Sequence, residues 1–214
     1  MSVLEVLQPD QQENGTMEGV AIGIVTNNKD PDGLGRVKVR FPWRDNSRES
    51  YWARVVATGA GKDRGLYWVP EVNDEVLLVC DKKDIQHIFV VGSLWNGKDK
   101  PAADNADGEN NTRLIRSRSG HEIRLFDKKG QGKVEIKSEK GHTVTMDDQQ
   151  STIEIKDSGG NNKITISATQ NGITIESGLS MTLKSQSISI EAGATMTLKA
   201  SGALTLKGTP ILLN

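Results

Sequence analysis

The sequence predicts an all-β protein in two parts, a small closed barrel followed by a β-helix. Three observations lead to this fold class. Short alternating strands separated by turn residues fill the first half, an apolar–polar–apolar triplet recurs through the second half, and no long segment has the 3.6-residue apolar period of a helix. The chain has 214 residues, which is enough for two domains.

Five strands are predicted in the first half. The clearest covers residues 36–41, where Val37, Val39 and Phe41 alternate with basic residues and therefore share one face. The other four are predicted at residues 20–25, 51–56, 75–80 and 87–92. Turn residues separate the strands. Five short strands favour a closed barrel of the OB type, because closure leaves no sheet edge exposed.

Composition divides the chain. Eight of the nine aromatic residues lie between Phe41 and Trp95, and none follows Phe126. Because aromatic side chains dominate the burial of an ordinary core, this distribution predicts a globular first half. Gly, Pro, Asn and Asp then mark a linker. The predicted divisions are an N-terminal arm that orders only against a partner (residues 1–18), an OB-fold domain (19–97), the linker (98–112) and a β-helix domain (113–214).

The second half contains nine apolar–polar–apolar triplets, and the middle residue is Thr or Ser in seven of them. Their starting positions are separated by 9, 11, 9, 8, 7, 8, 8 and 7 residues. Residues i and i+2 of a strand share a face, so each triplet sends two aliphatic side chains inward. The predicted core residues are Val144, Met146, Ile153, Ile155, Ile164, Ile166, Ile173, Ile175, Met181, Leu183, Ile188, Ile190, Met196, Leu198, Leu204 and Leu206.

A repeat of one strand and one turn is typical of a solenoid or β-helix. The regular register argues against the alternative of a disordered or amyloid-like segment. A single chain could close a triangular helix with three units per turn, or three chains could wind together. Periodicity alone does not choose between these two arrangements.

Several segments resemble one family. Residues 35–43 (GRVKVRFPW) resemble a strand of the VgrG spike proteins of type VI secretion and of phage baseplate assembly protein V. Residues 52–55 and 60–77 resemble the segments that follow, residues 91–97 match with Trp95 in place of the usual Tyr, and residues 118–125 resemble the entry to the family's β-helix. The resemblance implies an OB-fold barrel joined to an intertwined trimeric β-helix.

The resemblance also implies a role. It implies a homotrimeric central spike of a contractile tail or baseplate, in a phage, a phage-tail-like particle or a type VI-like system. Such a spike pierces the target cell envelope on sheath contraction and contacts the target membrane transiently. Because the chain lacks the family's large N-terminal hub domain, we expect a separate hub protein. A PAAR-like tip protein is expected on Ile211 and Leu213. The expected location is the baseplate of a virion or tail-like particle, assembled in the cytoplasm of the producing cell.

Catalytic, cofactor-binding and metal motifs are not found, so an enzyme is not predicted. Residues 59–62 (GAGK) look like part of a phosphate loop, but Asp63 stands where that motif needs Ser or Thr. The three histidines do not form an HxH iron site of the kind found at some phage spike tips. The single cysteine, Cys80, is predicted to be a small core residue. The N-terminus shows no signal peptide pattern.

One alternative function remains open, an OB-fold module that binds a small ligand or oligonucleotide on a β-solenoid stalk. It requires exposed aromatic side chains on a basic face. Arg36, Lys38, Arg40 and Arg44 are basic, with Trp43 nearby. The overall formal charge of −1 argues against a nucleic acid partner, since such proteins usually carry a basic excess.

Overall fold

The computed structural model describes residues 19–44 and 48–212. Its regular elements are all β-strands, which confirms the predicted fold class. The chain divides into two compact units between Glu109 and Asn110. The predicted arm (residues 1–18) and the predicted tip residue Leu213 lie outside the described residues. In the described ranges, no helix has the length and hydropathy needed to cross a membrane.

The first unit is a closed five-stranded barrel, and all five predicted strands are confirmed. Its sheet order is β2-β1-β4-β5-β3, with β3 parallel to β5 and the other neighbours antiparallel. Val37 and Ala53 close the barrel by exchanging two backbone hydrogen bonds, of 3.0 and 2.8 Å. The strands are β1 (Val20–Asn27), β2 (Lys38–Arg40), β3 (Arg54–Val55), β4 (Glu75–Asp81) and β5 (Asp84–Ser93).

Small aliphatic residues fill the barrel. Val37 and Val39 are fully buried and Phe41 nearly so, as their alternation predicts. Gly23 also faces inward, and a Cβ there would lie 2.6 Å from Cδ1 of the fully buried Leu78. The glycine is therefore required by the close approach of a core side chain. The buried hydrophobic residues are Ala21, Val25, Val37, Val39, Phe41, Ala53, Val76, Leu78, Ile88 and Val90.

The aromatic residues do not build this core. Of the eight between Phe41 and Trp95, only Phe41 is buried. Tyr67 is 83% exposed and Trp95 75% exposed. The first half is globular as predicted, but for a different reason, because valines and a few other small or aliphatic residues fill a barrel this narrow.

The second unit begins with an antiparallel meander, a sheet whose seven strands pair in sequence order. Each strand has five residues and pairs only with its sequence neighbours. All backbone ladders of this sheet are therefore made within one chain. The strands are β6 (Thr112–Arg116), β7 (Glu122–Phe126), β8 (Lys133–Lys137), β9 (Thr143–Asp147), β10 (Thr152–Lys156), β11 (Lys163–Ser167) and β12 (Gly172–Glu176).

Tight turns reverse the chain between these strands. Every one of the six connections holds one residue with a positive φ, which a sharp reversal favours. Those residues are Gly120, Gly130, Gly141, Ser151, Gly160 and Asn171. The turns after β9, β10 and β11 span 148–151, 157–162 and 168–171. Added to five-residue strands, these turns account for the first three triplet spacings of 9, 11 and 9 residues.

β12 is the last strand among the described residues. Residues 177–212 contain no strand and no positive-φ residue, and every one of them is exposed. Of the nine triplets, four therefore pair within the chain, and the described residues of the other five do not.

Candidate trimer interface

One face of the meander carries two columns of aliphatic side chains. In one column, Val144 pairs with Ile155, which pairs with Ile164 and then with Ile175 on the next strand. In the other, Met146, Ile153, Ile166 and Ile173 follow in the same way. Strands β7 and β8 extend both columns with Ile123, Leu125, Val134 and Ile136. Because side chains directly opposite in a sheet touch, the columns form continuous apolar ridges.

These ridges are not covered by their own chain. Ile153 is 41% exposed, Ile164 39% and Ile173 71%. Soluble proteins rarely leave so large a contiguous apolar surface in water unless it is an interaction site. The aliphatic face is therefore the candidate interface of the second unit.

The opposite face is polar, and several of its side chains form ion pairs. The middle residues of the paired triplets lie there, as the period of a strand requires. Ion pairs join adjacent strands across this face, including Lys133 with Asp147 at 2.9 Å and Lys163 with Glu176 at 3.2 Å. The hydrogen bond from Lys133 holds the pKa of Asp147 below its usual range. This face suits contact with water, which leaves the aliphatic face as the one that needs a partner.

An open groove of about 570 Å³ runs along the first aliphatic column. Its apolar lining comes from that column and from Met181, the first inward residue of the unpaired triplets. The chain thus turns toward the aliphatic face as soon as it leaves the meander. The aliphatic lining residues are Ile136, Val144, Ile155, Ile164, Ile175 and Met181.

Residues 177–212 leave most of their backbone groups without a hydrogen-bond partner in the chain. Among these described residues no backbone–backbone hydrogen bond forms. The first and third triplet residues among them are also exposed, from 47% at Ile211 to 70% at Leu183. Buried backbone amides and carbonyls are almost always paired. This segment can therefore bury its aliphatic residues only where other strands supply the missing hydrogen bonds.

The sequence-predicted core residues fall into two groups. The eight from Val144 to Ile175 form the two columns, and the eight from Met181 to Leu206 lie in the unpaired segment. Sequence reasoning missed the division between the two groups. The signal was present in the spacing, which exceeds 8 residues only where a reversing turn must fit. Ile211 is 47% exposed near the end of the described residues.

A second candidate surface is the basic strip of the barrel, which consists of Arg36, Lys38, Arg40 and Arg44. Arg36 and Lys38 lie 5.9 and 5.4 Å from the ring centre of Trp52, within cation–π range. Both cations are also paired with carboxylates. Lys38 contacts Glu49 at 3.3 Å, and Arg36 contacts Asp30 at 2.7 Å.

Asp30 fixes Arg36 in place. Its carboxylate accepts two hydrogen bonds from the Arg36 side chain and further ones from the backbone N–H groups of Asp32, Leu34 and Arg36. The Arg36 guanidinium holds the pKa of Asp30 well below its usual range. The backbone hydrogen bonds lower this pKa further. The predicted turn at this position is confirmed, and much of the positive charge of the strip is neutralised within the barrel.

The remaining residues considered from the sequence form no reactive cluster. Gly61 and Arg64 close a small turn in the segment that looked like a phosphate loop. Cys80 is partly buried against the barrel core, and burial raises the pKa of its thiol. Throughout residues 19–44 and 48–212, no three His, Cys, Asp or Glu side chains gather as metal ligands would.

Comparison with known proteins places both units. Residues 21–95 match the family model of the type VI secretion system and phage-baseplate injector OB domain. Residues 133–206 match that of the phage baseplate V C-terminal trimerisation domain. The two matches together cover more than half of the chain.

The curated relatives are much longer proteins. The chain is 29% identical over 134 residues to the type VI secretion system spike protein VgrG1c of Pseudomonas aeruginosa, covering 56% of this chain and 18% of the relative. It is 31% identical over 120 residues to VgrG1a of the same organism, covering 51% and 19%. It is also 29% identical over 98 residues to the actin cross-linking toxin VgrG1 of Vibrio cholerae, covering 44% and 9%. The chain therefore spans less than a fifth of each relative.

Proposed function

Because this chain belongs to the family of phage baseplate V proteins and VgrG spike proteins, we propose that it is the central spike of a contractile injection machine. Three copies form the spike through the C-terminal trimerisation domain. The spike docks on a hub and is driven through the target cell envelope when the sheath contracts. It acts mechanically and needs neither a catalytic residue nor a cofactor.

The aliphatic face of the second unit is the observation that carries this proposal. The side chains of Ile153, Ile164 and Ile173 in its columns are 39% or more exposed. Residues 177–212 form no backbone–backbone hydrogen bonds within the chain. Three chains remove both defects, since their aliphatic faces meet at a common axis and their terminal segments supply one another's hydrogen bonds. The proposed core residues are the sixteen from Val144 to Leu206 named above.

The proposed partners are the hub and tip proteins with which spike proteins in general associate. We assign an OB domain to residues 19–97, a linker to 98–112 and the spike to 113–214. The OB domain docks on a hub protein, and a PAAR-like tip protein binds Ile211 and Leu213. The spike belongs in the baseplate of a virion or tail-like particle and is assembled in the cytoplasm of the producing cell. It contacts the target membrane only transiently.

The molar mass in solution tests the proposal. Size-exclusion chromatography with light scattering should give about three times the 23.3 kDa mass of the chain at micromolar concentration. A monomer under these conditions would falsify the proposal, because one chain cannot cover the aliphatic columns.

Trp52 beneath two cations favours a second candidate, the binding of single-stranded oligonucleotides on the barrel. Titration of tryptophan fluorescence with a thymidine oligomer at low and high salt decides between them. The spike function predicts no binding, because Asp30 and Glu49 already pair the two cations. Tight binding that weakens with salt, as phosphate contacts do, would favour the second candidate.

A further inference from the structure

Three turns at one edge of the meander share the same construction. In each, a side-chain oxygen of the first residue accepts a hydrogen bond from the backbone N–H of the last. The pairs are Ser117 with His121 at 3.1 Å, Ser138 with His142 at 3.0 Å and Asp157 with Asn162 at 3.2 Å. Each turn also has a left-handed glycine whose N–H donates to the carbonyl of the first residue. These glycines are Gly120, Gly141 and Gly160.

The last side chain of each turn also binds the next turn along this edge. Nδ1 of His121 accepts a hydrogen bond of 3.1 Å from the backbone N–H of Glu139. Nδ1 of His142 accepts one of 3.2 Å from the backbone N–H of Ser158. Both donors are the second residue of the turn that receives the contact. The two histidines thus make equivalent hydrogen bonds that hold successive turns in register.

Asn162 repeats this contact toward the point where the meander ends. Its Oδ1 accepts a hydrogen bond of 3.3 Å from the backbone N–H of Gly178 and lies 2.9 Å from the hydroxyl oxygen of Ser177, whose single proton is shared with the carbonyl of Ser180. By position, Ser177 and Gly178 would be the first two residues of a fourth turn. Asn162 therefore binds them as the histidines bind the turns before.

The fourth turn does not form. The hydroxyl of Ser177 lies 2.8 Å from the carbonyl oxygen of Ser180, so it points away from the capping role of Ser117 and Ser138. Ser180 and Met181 stand where the earlier turns have glycine and histidine, and no residue from 177 to 212 has a positive φ. Without a left-handed residue the chain cannot reverse tightly, and it leaves its own sheet.

We propose that Asn162 is a positioning residue that anchors the chain at Ser177 and Gly178, the point where it stops pairing with itself and begins to pair with two other copies. This inference rests on the proposed trimer. The contact joins the last turn made within the chain to the first residues of the intertwined segment. It thereby sets the register in which five triplets of each chain meet the strands of their partners.

Three full-length variants test the assignment. Asn162→Ala removes the acceptor, Asn162→His replaces it with the side chain that plays this part at His121 and His142, and Asn161→Ala is the control one residue away. Hydrogen–deuterium exchange of the trimers is followed in peptides from 163–176 and from 179–206. Loss of the acceptor for the Gly178 N–H should make the second region exchange about tenfold faster in Asn162→Ala. The first region should change less, and Asn162→His should restore the native rate.

The outcomes separate this inference from the function on which it rests. Faster exchange or loss of trimer in Asn162→Ala, with native behaviour in Asn162→His and Asn161→Ala, supports it. Equal exchange in all three trimeric variants overturns the role of Asn162 and leaves the spike intact. A histidine variant no better than the alanine one also overturns it. A native protein that is monomeric by light scattering overturns both.

Discussion

Ile173 gives the sharpest test of the trimer core. It ends one aliphatic column and is 71% exposed in the single chain. If the chain worked alone, Ile173→Ala would be a surface substitution and change the free energy of unfolding by about 0.5 kcal/mol or less. If three chains bury this side chain, truncation removes core contacts and costs about 2–5 kcal/mol per copy. The two cases differ by at least about a factor of four in free energy.

The matched control is Thr174→Ala, the next residue on the same strand, which faces the polar side of the sheet. It loses β propensity to a similar degree but no core burial. Because intertwined chains separate slowly, the assay should follow a rate. We expect Ile173→Ala to lose SDS-resistant trimer much faster than Thr174→Ala at a fixed elevated temperature. Equal rates for the two variants would refute the assignment of this face to the trimer core.

Two further predictions concern the barrel. Gly23→Ala should destabilise it by about 1–3 kcal/mol, because the new methyl group overlaps Leu78, and Leu78→Val in the same chain should recover part of the loss. Thermal melts of the single and double variants measure this; a single variant as stable as the native protein would contradict the close approach. Asp30 should stabilise the barrel fully above pH about 4 and lose that effect as the pH falls through its lowered pKa. Asp30→Asn should therefore be less stable at pH 7 and should flatten the acid dependence of the urea midpoint, and an unchanged acid profile would count against it.

In the barrel, local side-chain alternation predicts the burial of some residues but not of others. Alternation in residues 36–41 correctly predicts that Val37, Val39 and Phe41 face the core. The pattern says less about the aromatic residues, which lie mainly on the surface, as Tyr67 does. Hydrophobicity predicts burial only where the interior has room, and the width of a five-stranded barrel is a property of its closure rather than of any one residue.

The family and the spike-like second half were also accessible from the sequence, because they depend on motifs and on a repeat that can be counted. Which strands pair within the chain was not. The prediction treated nine triplets alike, whereas the structure pairs four of them in a meander and places the described residues of the other five outside any strand.

The sequence by itself determined that the chain is all β, that it has two parts, and which aliphatic residues of the paired triplets share one face of the sheet. These properties follow from side-chain alternation along single strands. The tertiary structure alone decided where the chain stops pairing with itself, at Ser177, and which contacts hold that point. Pairing depends on turn geometry. Residues 172–212 contain no residue with a positive φ, and this matters only because each of the six preceding turns contains one.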